Sequence, residues 1–307
     1  MDFKKPAKII IGLAILAGTL YYIGFESIVE NFSKMDIIYL PAVLILSLAS
    51  IFINSLNLFL LGNLFQKLSV SKAFDFVFTS FAATMVTPGR LGQISIVYML
   101  KKHGFELGEA TALVFVDKAV TIFVLSVFGS MGILLLMPRE FFLQVLALLT
   151  AGWTGGLFFF YSEFGRNIIK KFVLGKHQEL FTGFKKSIDI IVAEKKALIK
   201  NIFLTFIRLN ITALTEYALI ISLGGSVDYI LLLLISAVTQ LLSFVPLTPN
   251  GLGIKEGGFS FLATLIGVPL GIAGTTIFTM TILNYFYSAV YTAFFIQKTH
   301  FSKIGAD

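Results

Sequence analysis

Seven ionisable residues sit in sequence that is otherwise apolar: Arg90, Asp117, Lys118, Arg208, Glu216, Lys255 and Glu256. A charged side chain at the centre of a membrane helix costs about 2.5–3.5 kcal/mol on insertion scales, so a chain that keeps several must pair them or use them. Some of these groups follow near-copies of one motif. Thr87-Pro88-Gly89-Arg90-Leu91-Gly92 and Thr248-Pro249-Asn250-Gly251-Leu252-Gly253 agree at four of six positions without a gap. Proline removes a backbone donor and glycine frees the chain to turn, so each copy interrupts its apolar segment. Freed N–H groups at a helix start favour an anion, and a guanidinium grips a phosphate in a two-pronged fashion. Arg90, opening the 91–102 segment, is placed for that task. Glu256 can meet a cationic substituent, offset Arg90 or Arg208, or take a proton.

The candidate substrate-binding set draws on both copies and on the spans between them. Thr87, Pro88, Gly89, Arg90 and Gln93 come from the first copy, Asp117 and Lys118 from the next span, and Arg208 and Glu216 from one helix. Thr248, Pro249, Asn250, Gly251, Gly253, Lys255 and Glu256 come from the second copy. Thr215, Gln240 and Asn284 add uncharged polar groups nearby. A purely structural alternative has Arg208 and Lys255 snorkelling to the interfaces and Asp117 paired locally with Lys118.

The elements that position these residues are membrane helices. Of 307 residues 57% are hydrophobic and only 13% charged, with 33 Phe, which is more apolar surface than a soluble core needs. The expected fold is an all-α polytopic membrane protein. About six full spans of roughly 20 residues fall at 6–24, 37–63, 108–137, 141–161, 200–222 and 270–297. The regions 72–102 and 227–268, each cut by a Thr-Pro copy, read as broken, re-entrant hairpins. The apolar run after Lys4, Lys5 and Lys8 lacks a small-residue cleavage site and carries Tyr21 and Tyr22 at the expected interface, so it reads as a retained anchor.

With the N- and C-termini cytoplasmic, 18 of 24 basic residues lie inside, as the positive-inside rule requires. The net charge of +7 then follows from loop asymmetry, and no nucleic acid is implied. The three spans between the two hairpins reverse the side from which the second one enters. Both breakers therefore approach the midplane from opposite faces, the arrangement of an inverted repeat that rocks about a central site. A single integral-membrane domain, 1–307, thus divides into a first half at about 37–161, a linker at 163–199 and a second half at about 200–297. The linker alternates apolar residues with lysine pairs and reads as amphipathic helix on the cytoplasmic surface, where it either sets topology or binds anionic lipid.

Other classes fit less well. There are no cysteines, no G-x-x-x-x-G-K-[ST] loop for an ATP-driven pump, and His103, His177 and His300 fall in polar loops or tails. No cofactor, metal ligand or catalytic residue is assigned. A membrane-embedded lipid or glycosyl transferase is the enzymatic rival, with Asp117, Glu216 and Glu256 as acid and base, and a channel or assembly factor is a third class.

Three ordered stretches carry a resemblance: Thr87 to Gly92, His103-Gly104-Phe105-Glu106-Leu107-Gly108-Glu109-Ala110 leading to Asp117-Lys118, and Pro246 to Glu256. Together they resemble the flippase-like membrane family that includes the transmembrane region of lysylphosphatidylglycerol synthases, over about residues 10 to 295. The resemblance implies a multi-pass plasma-membrane protein that moves a lipid between leaflets. Its partners would be anionic or phosphate-bearing lipids, such as an aminoacylated phospholipid or a polyprenyl-phosphate-linked sugar. Lys118 stands where the family often has Arg, Asn284 where an Arg is common and Asn250 where Gly is usual. A lysine keeps the charge but loses the planar fork, so a different head-group preference is expected. No aminoacyl-transferase domain follows Asp307, so the chain is expected not to make a lysyl-lipid by itself.

Overall fold

Several of the helices begin or end at residues whose side chains satisfy the open backbone groups of a helix end. The computed structural model describes residues 14–15, 17–87, 90–162 and 183–304, and among them all regular structure is helical. A short helix, α1 (Phe25–Ser33), precedes a 3₁₀ turn (Ile37–Tyr39) whose Ile38 N–H is accepted by the Asp36 carboxylate at 3.0 Å. The chain then enters α2 (Leu40–Gly62), with a proline in its first turn. Asn63 closes α2: its amide donates to the Phe59 carbonyl at 2.7 Å and its Oδ1 accepts the Leu68 N–H at 3.2 Å. The Ser69 hydroxyl starts α3 (Val70–Met85) by accepting the Lys72 N–H. After the first breaker come a 3₁₀ turn (Leu91–Ile94) and α4 (Ser95–Lys102). A capping box between Glu106 and Glu109 opens α5 (Leu107–Leu136).

The remainder is α6 (Arg139–Tyr161), α7 (Phe184–Ala193), α8 (Lys195–Ser222), α9 (Tyr229–Leu242), α10 (Ile254–Leu265) and α11 (Leu270–Ile304). Among the described residues, three helical stretches are long and apolar enough to cross a membrane: Ile37–Gly62, Leu107–Leu136 and Lys195–Ser222. They coincide with the spans expected at 37–63, 108–137 and 200–222. The expected spans at 141–161 and 270–297 fall on α6 and α11, helices of 23 and 35 residues. Residues 6–13 and 16 of the 6–24 anchor lie outside the described residues, as do Pro88, Gly89 and 163–182 of the linker.

In the described part of the linker, α7 is amphipathic as expected, but its apolar face meets protein. Phe184, Ser187, Ile188 and Ile191 are buried, and Phe184 meets Phe115 of α5 edge-on at 5.7 Å. Lys185 and Lys186 remain exposed. The following helix starts at Lys195, earlier than expected, because Ala197 and Asn201 are buried and extend its packed face.

Helices α2 and α8 run antiparallel along each other. The Asp36 N–H donates to the Ser222 carbonyl at 2.7 Å at one end, and Asn57 donates to Thr205 at 3.1 Å nearer the other. Apolar packing forms three clusters. One joins α2 to α5 with α7, around Leu61, Leu100 and Leu113; a second joins α8 to α11, around Ile220, Phe259 and Ala273. The third, with Leu125, Leu209 and Ala237, couples α5 to α8 and α9. In a bilayer such close packing, rather than exclusion from water, is what holds helices together. The polar site lies between the clusters.

Candidate functional site

Polar residues on the apolar helices share faces that sequence spacing already implies. Ser47, Ser50 and Asn54 repeat at helical spacing on α2, Ser80 and Thr84 on α3, and Arg208, Thr212, Thr215 and Glu216 on α8. All of these line one cavity, together with Thr239 and Gln240 of α9 and Asn284 of α11. Its volume of about 160 Å³ is close to that of a core void that accepts benzene, ~150 Å³. That is room for a phosphate group.

The charged lining is unbalanced. Arg90, Lys118, Arg208 and Lys255 face the cavity, with Glu216 as the acid among its lining residues. Lys118 is held by the neighbouring Asp117 at 2.8 Å, whose other oxygen accepts from Asn201 at 3.3 Å. Lys255 lies 3.3 Å from Glu256. Neither guanidinium has a carboxylate within ion-pairing distance among the described residues. Arg90 stands over the Phe244 ring at 4.7 Å, a cation–π contact. Arg208 donates one weak bond to Thr121 at 3.4 Å, and its Nε is buried without a partner among the described residues. Glu216 is almost fully buried, and its Oε2 is likewise unpartnered.

The breakers build the cavity wall from both sides. Arg90 and Asn250 are the non-glycine residues at positive φ among those described, 61° and 47°. A left-handed backbone is uncommon for a non-glycine residue, and especially so for one as bulky as arginine. It turns the Arg90 side chain back across the bundle. Behind it, the Thr87 hydroxyl accepts the Gly92 N–H at 2.7 Å and donates to the Ala83 carbonyl at 3.0 Å, closing the loop. Gly92 presses on the Ala83 and Thr84 backbone so tightly that no Cβ fits. The two breakers also bond directly, Asn250 N–H to Thr87 carbonyl at 3.0 Å.

The sequence-based candidates therefore divide. Arg90, Gln93, Lys118, Arg208, Glu216, Asn250 and Lys255 line the cavity. Thr87, Asp117, Thr248, Pro249, Gly251, Gly253 and Glu256 are not among its lining residues, and Pro88 and Gly89 lie outside the described residues. Arg208 sits near the middle of α8 and points into the cavity, so the snorkelling alternative does not describe it. Glu256 is completely buried: one oxygen accepts the Gly253 N–H and the other the Thr281 hydroxyl, both at 2.6 Å. Its role in this arrangement is to fasten the start of α10. Ser47, Ser50, Asn54, Ser80 and Thr84 were missed as site residues, though their periodic spacing in apolar helices is a readable signal. No group of three or more His, Cys, Asp or Glu suited to a metal occurs among the described residues.

Comparison with known proteins is consistent with a membrane site. The family model described as the lysylphosphatidylglycerol synthase TM region matches residues 9–290. The chain is also similar to the UPF0104 membrane protein PH1989 of Pyrococcus horikoshii, at 24% identity over 88% of this chain and 90% of that one. No solved structure matches.

Proposed function

The chain belongs to the lysylphosphatidylglycerol synthase TM region family, and from that premise we propose that it carries a phosphate-bearing lipid between the leaflets of the membrane. The observation that carries this reading is the pair of guanidiniums, Arg90 and Arg208, facing one cavity without carboxylate partners among the described residues. Charges left so in a membrane protein are costly unless a ligand supplies the counter-charge. A phosphate on a lipid head group does so, with bidentate geometry available from either arginine. An aminoacylated phospholipid or a polyprenyl-phosphate-linked sugar fits this chemistry, with Glu216 opposite to receive a cationic substituent.

Transport is favoured over transfer chemistry because two of the three candidate acid–base carboxylates are engaged elsewhere. Asp117 is held by Lys118 and Asn201, and Glu256 by Gly253 and Thr281. An inverted repeat with two re-entrant hairpins supplies the motion. Thr248 lies 161 positions after Thr87, and the same offset brings α2 onto most of α8, α3 onto α9, α4 onto α10 and α5 onto α11. Arg90 and Gly251, equivalent under that offset, share positive φ, 61° and 72°. The antiparallel run of α2 and α8 supports the inversion. The charge bias supports a plasma-membrane protein with both termini cytoplasmic, and the exposed lysines of α7 suit anionic head groups on that face.

The test is leaflet exchange of fluorescent phospholipids and of a polyprenyl-phosphate sugar in liposomes holding the purified protein. Exchange faster than in empty liposomes, and slowed in both Arg90→Ala and Arg208→Ala, is the expected result. No acceleration with any lipid by folded protein overturns the reading, and appearance of a new lipid product turns it into a transferase.

A further inference from the structure

A second, apolar hollow of about 720 Å³ runs between α3 and α11, beside the polar cavity. Its walls include small residues, Ala82 and Ala83 on one side and Ala289 and Ala293 on the other, beside Met85, Tyr285 and Tyr291. Hydroxyls also border it, but they are turned to backbone. Thr79 donates to the Asp75 carbonyl at 2.7 Å, Thr292 to Ser288 at 2.7 Å and Tyr291 to Asp75 at 3.1 Å. With these donors occupied, and the Ser288 hydroxyl left open among the described lining residues, the surface offers chiefly dispersion contacts. Tyr291, which lines the hollow, stacks on Phe78 at 4.3 Å. From Tyr285 to Ala293 the hollow extends about 12 Å along the helix at 1.5 Å per residue.

The continuity between hollow and cavity identifies the occupant. Met85 lines both. Its carbonyl accepts the Tyr285 hydroxyl at 3.1 Å, and its sulfur receives the Asn250 amide at 3.6 Å. An unbranched thioether is the side chain best able to swing aside for a passing chain. Next to it, Val86 is 72% exposed on the outer surface, so the hollow opens toward the membrane.

We infer that the hollow between α3 and α11 seats one hydrocarbon tail of the lipid whose phosphate enters the Arg90 cavity, with Met85 at the junction of head and tail. The inference rests on the proposed lipid transport and adds to it the route by which the lipid stays attached to the bilayer.

The experiment uses the full protein in vesicles of phosphatidylglycerol containing a phosphatidylglycerol probe with a diazirine on one acyl chain. After illumination, labelled peptides are mapped in wild type, Ala289→Trp and Ala82→Phe, two variants that fill opposite walls. Leaflet exchange is measured on the same samples, and monodispersity confirms folding. The expected result is labelling concentrated on 79–86 and 285–293, reduced at least tenfold by either variant, with exchange slowed in parallel. Labelling no denser there than on the exposed face of α6 overturns the tail site, even where exchange stays sensitive to Arg90→Ala. Labelling of the hollow without any acceleration of exchange keeps the tail site and overturns the transport reading. A dimer lost in both filling variants, without probe labelling, assigns the hollow to a second copy instead.

Discussion

At the first breaker, Arg90 adopts a left-handed backbone, lies over Phe244 and reaches the cavity with no carboxylate beside it among the described residues. At the second, Gly251 occupies the equivalent place without strain, and the acid that follows, Glu256, is buried against Gly253, Thr281 and Lys255. Two similar motifs thus form a cavity-facing turn and a fastened one. What separates them is the presence of a satisfied carboxylate. Where the acid caps its own helix, the adjacent lysine is neutralised; where none follows, the cation stays available to a ligand.

Removing the fastening should have the largest effect. Glu256→Ala removes the partner of the Gly253 N–H, the Thr281 hydroxyl and Lys255, and loss of one partner of a buried pair costs about 3–5 kcal/mol. Thermal unfolding in detergent should show this as a fall in Tm that Glu256→Gln only partly restores. Removing the ligand-facing cation should instead spare stability and slow transport. Arg90→Ala forfeits charge-assisted bonds of about 1.5–3 kcal/mol, roughly a ten- to hundredfold loss in lipid exchange, with Arg90→Lys intermediate. An equal fall in Tm for Arg90→Ala and Glu256→Ala would erase the distinction between the two breakers.

A finer test separates backbone from side chain. Arg90→Gly should be as inactive as Arg90→Ala but more stable than it by about 1 kcal/mol, since glycine carries no penalty in the left-handed region. Urea or thermal melts of the two variants check it. Gly92→Ala should lower stability by about 1–3 kcal/mol through its collision with the Ala83 and Thr84 backbone. The smallest effect is expected at Asn250→Gly, within about 0.5 kcal/mol, because asparagine tolerates its φ of 47° and only the contact to Met85 is lost.

Much of this was legible before any fold was known. The helices expected at 37–63, 108–137 and 200–222 lie where apolar runs of sufficient length are bounded by caps and turns. The breakers were visible as Thr-Pro copies, and Arg90, Lys118, Arg208 and Lys255 as charges within apolar sequence. The small hydroxyls were overlooked because serine and threonine are tolerated in any membrane helix by bonding to their own backbone, as Ser47 does to Val43. Only the alignment of Ser47, Ser50 and Asn54 on one side marks them as lining.

Composition and periodicity by themselves determined a helical membrane protein, the places where its helices break and the charges it keeps at depth, because these follow from local chain properties and the cost of polar groups in lipid. Tertiary structure alone decided which charges are satisfied and which face the cavity. Asn201 reaches Asp117 across 84 positions, Thr121 meets Arg208 across 87, and the Asn250 N–H bonds the carbonyl of Thr87 in the opposite half of the chain. The period of a helix specifies the direction in which a residue points; the packing of other helices specifies what it meets there.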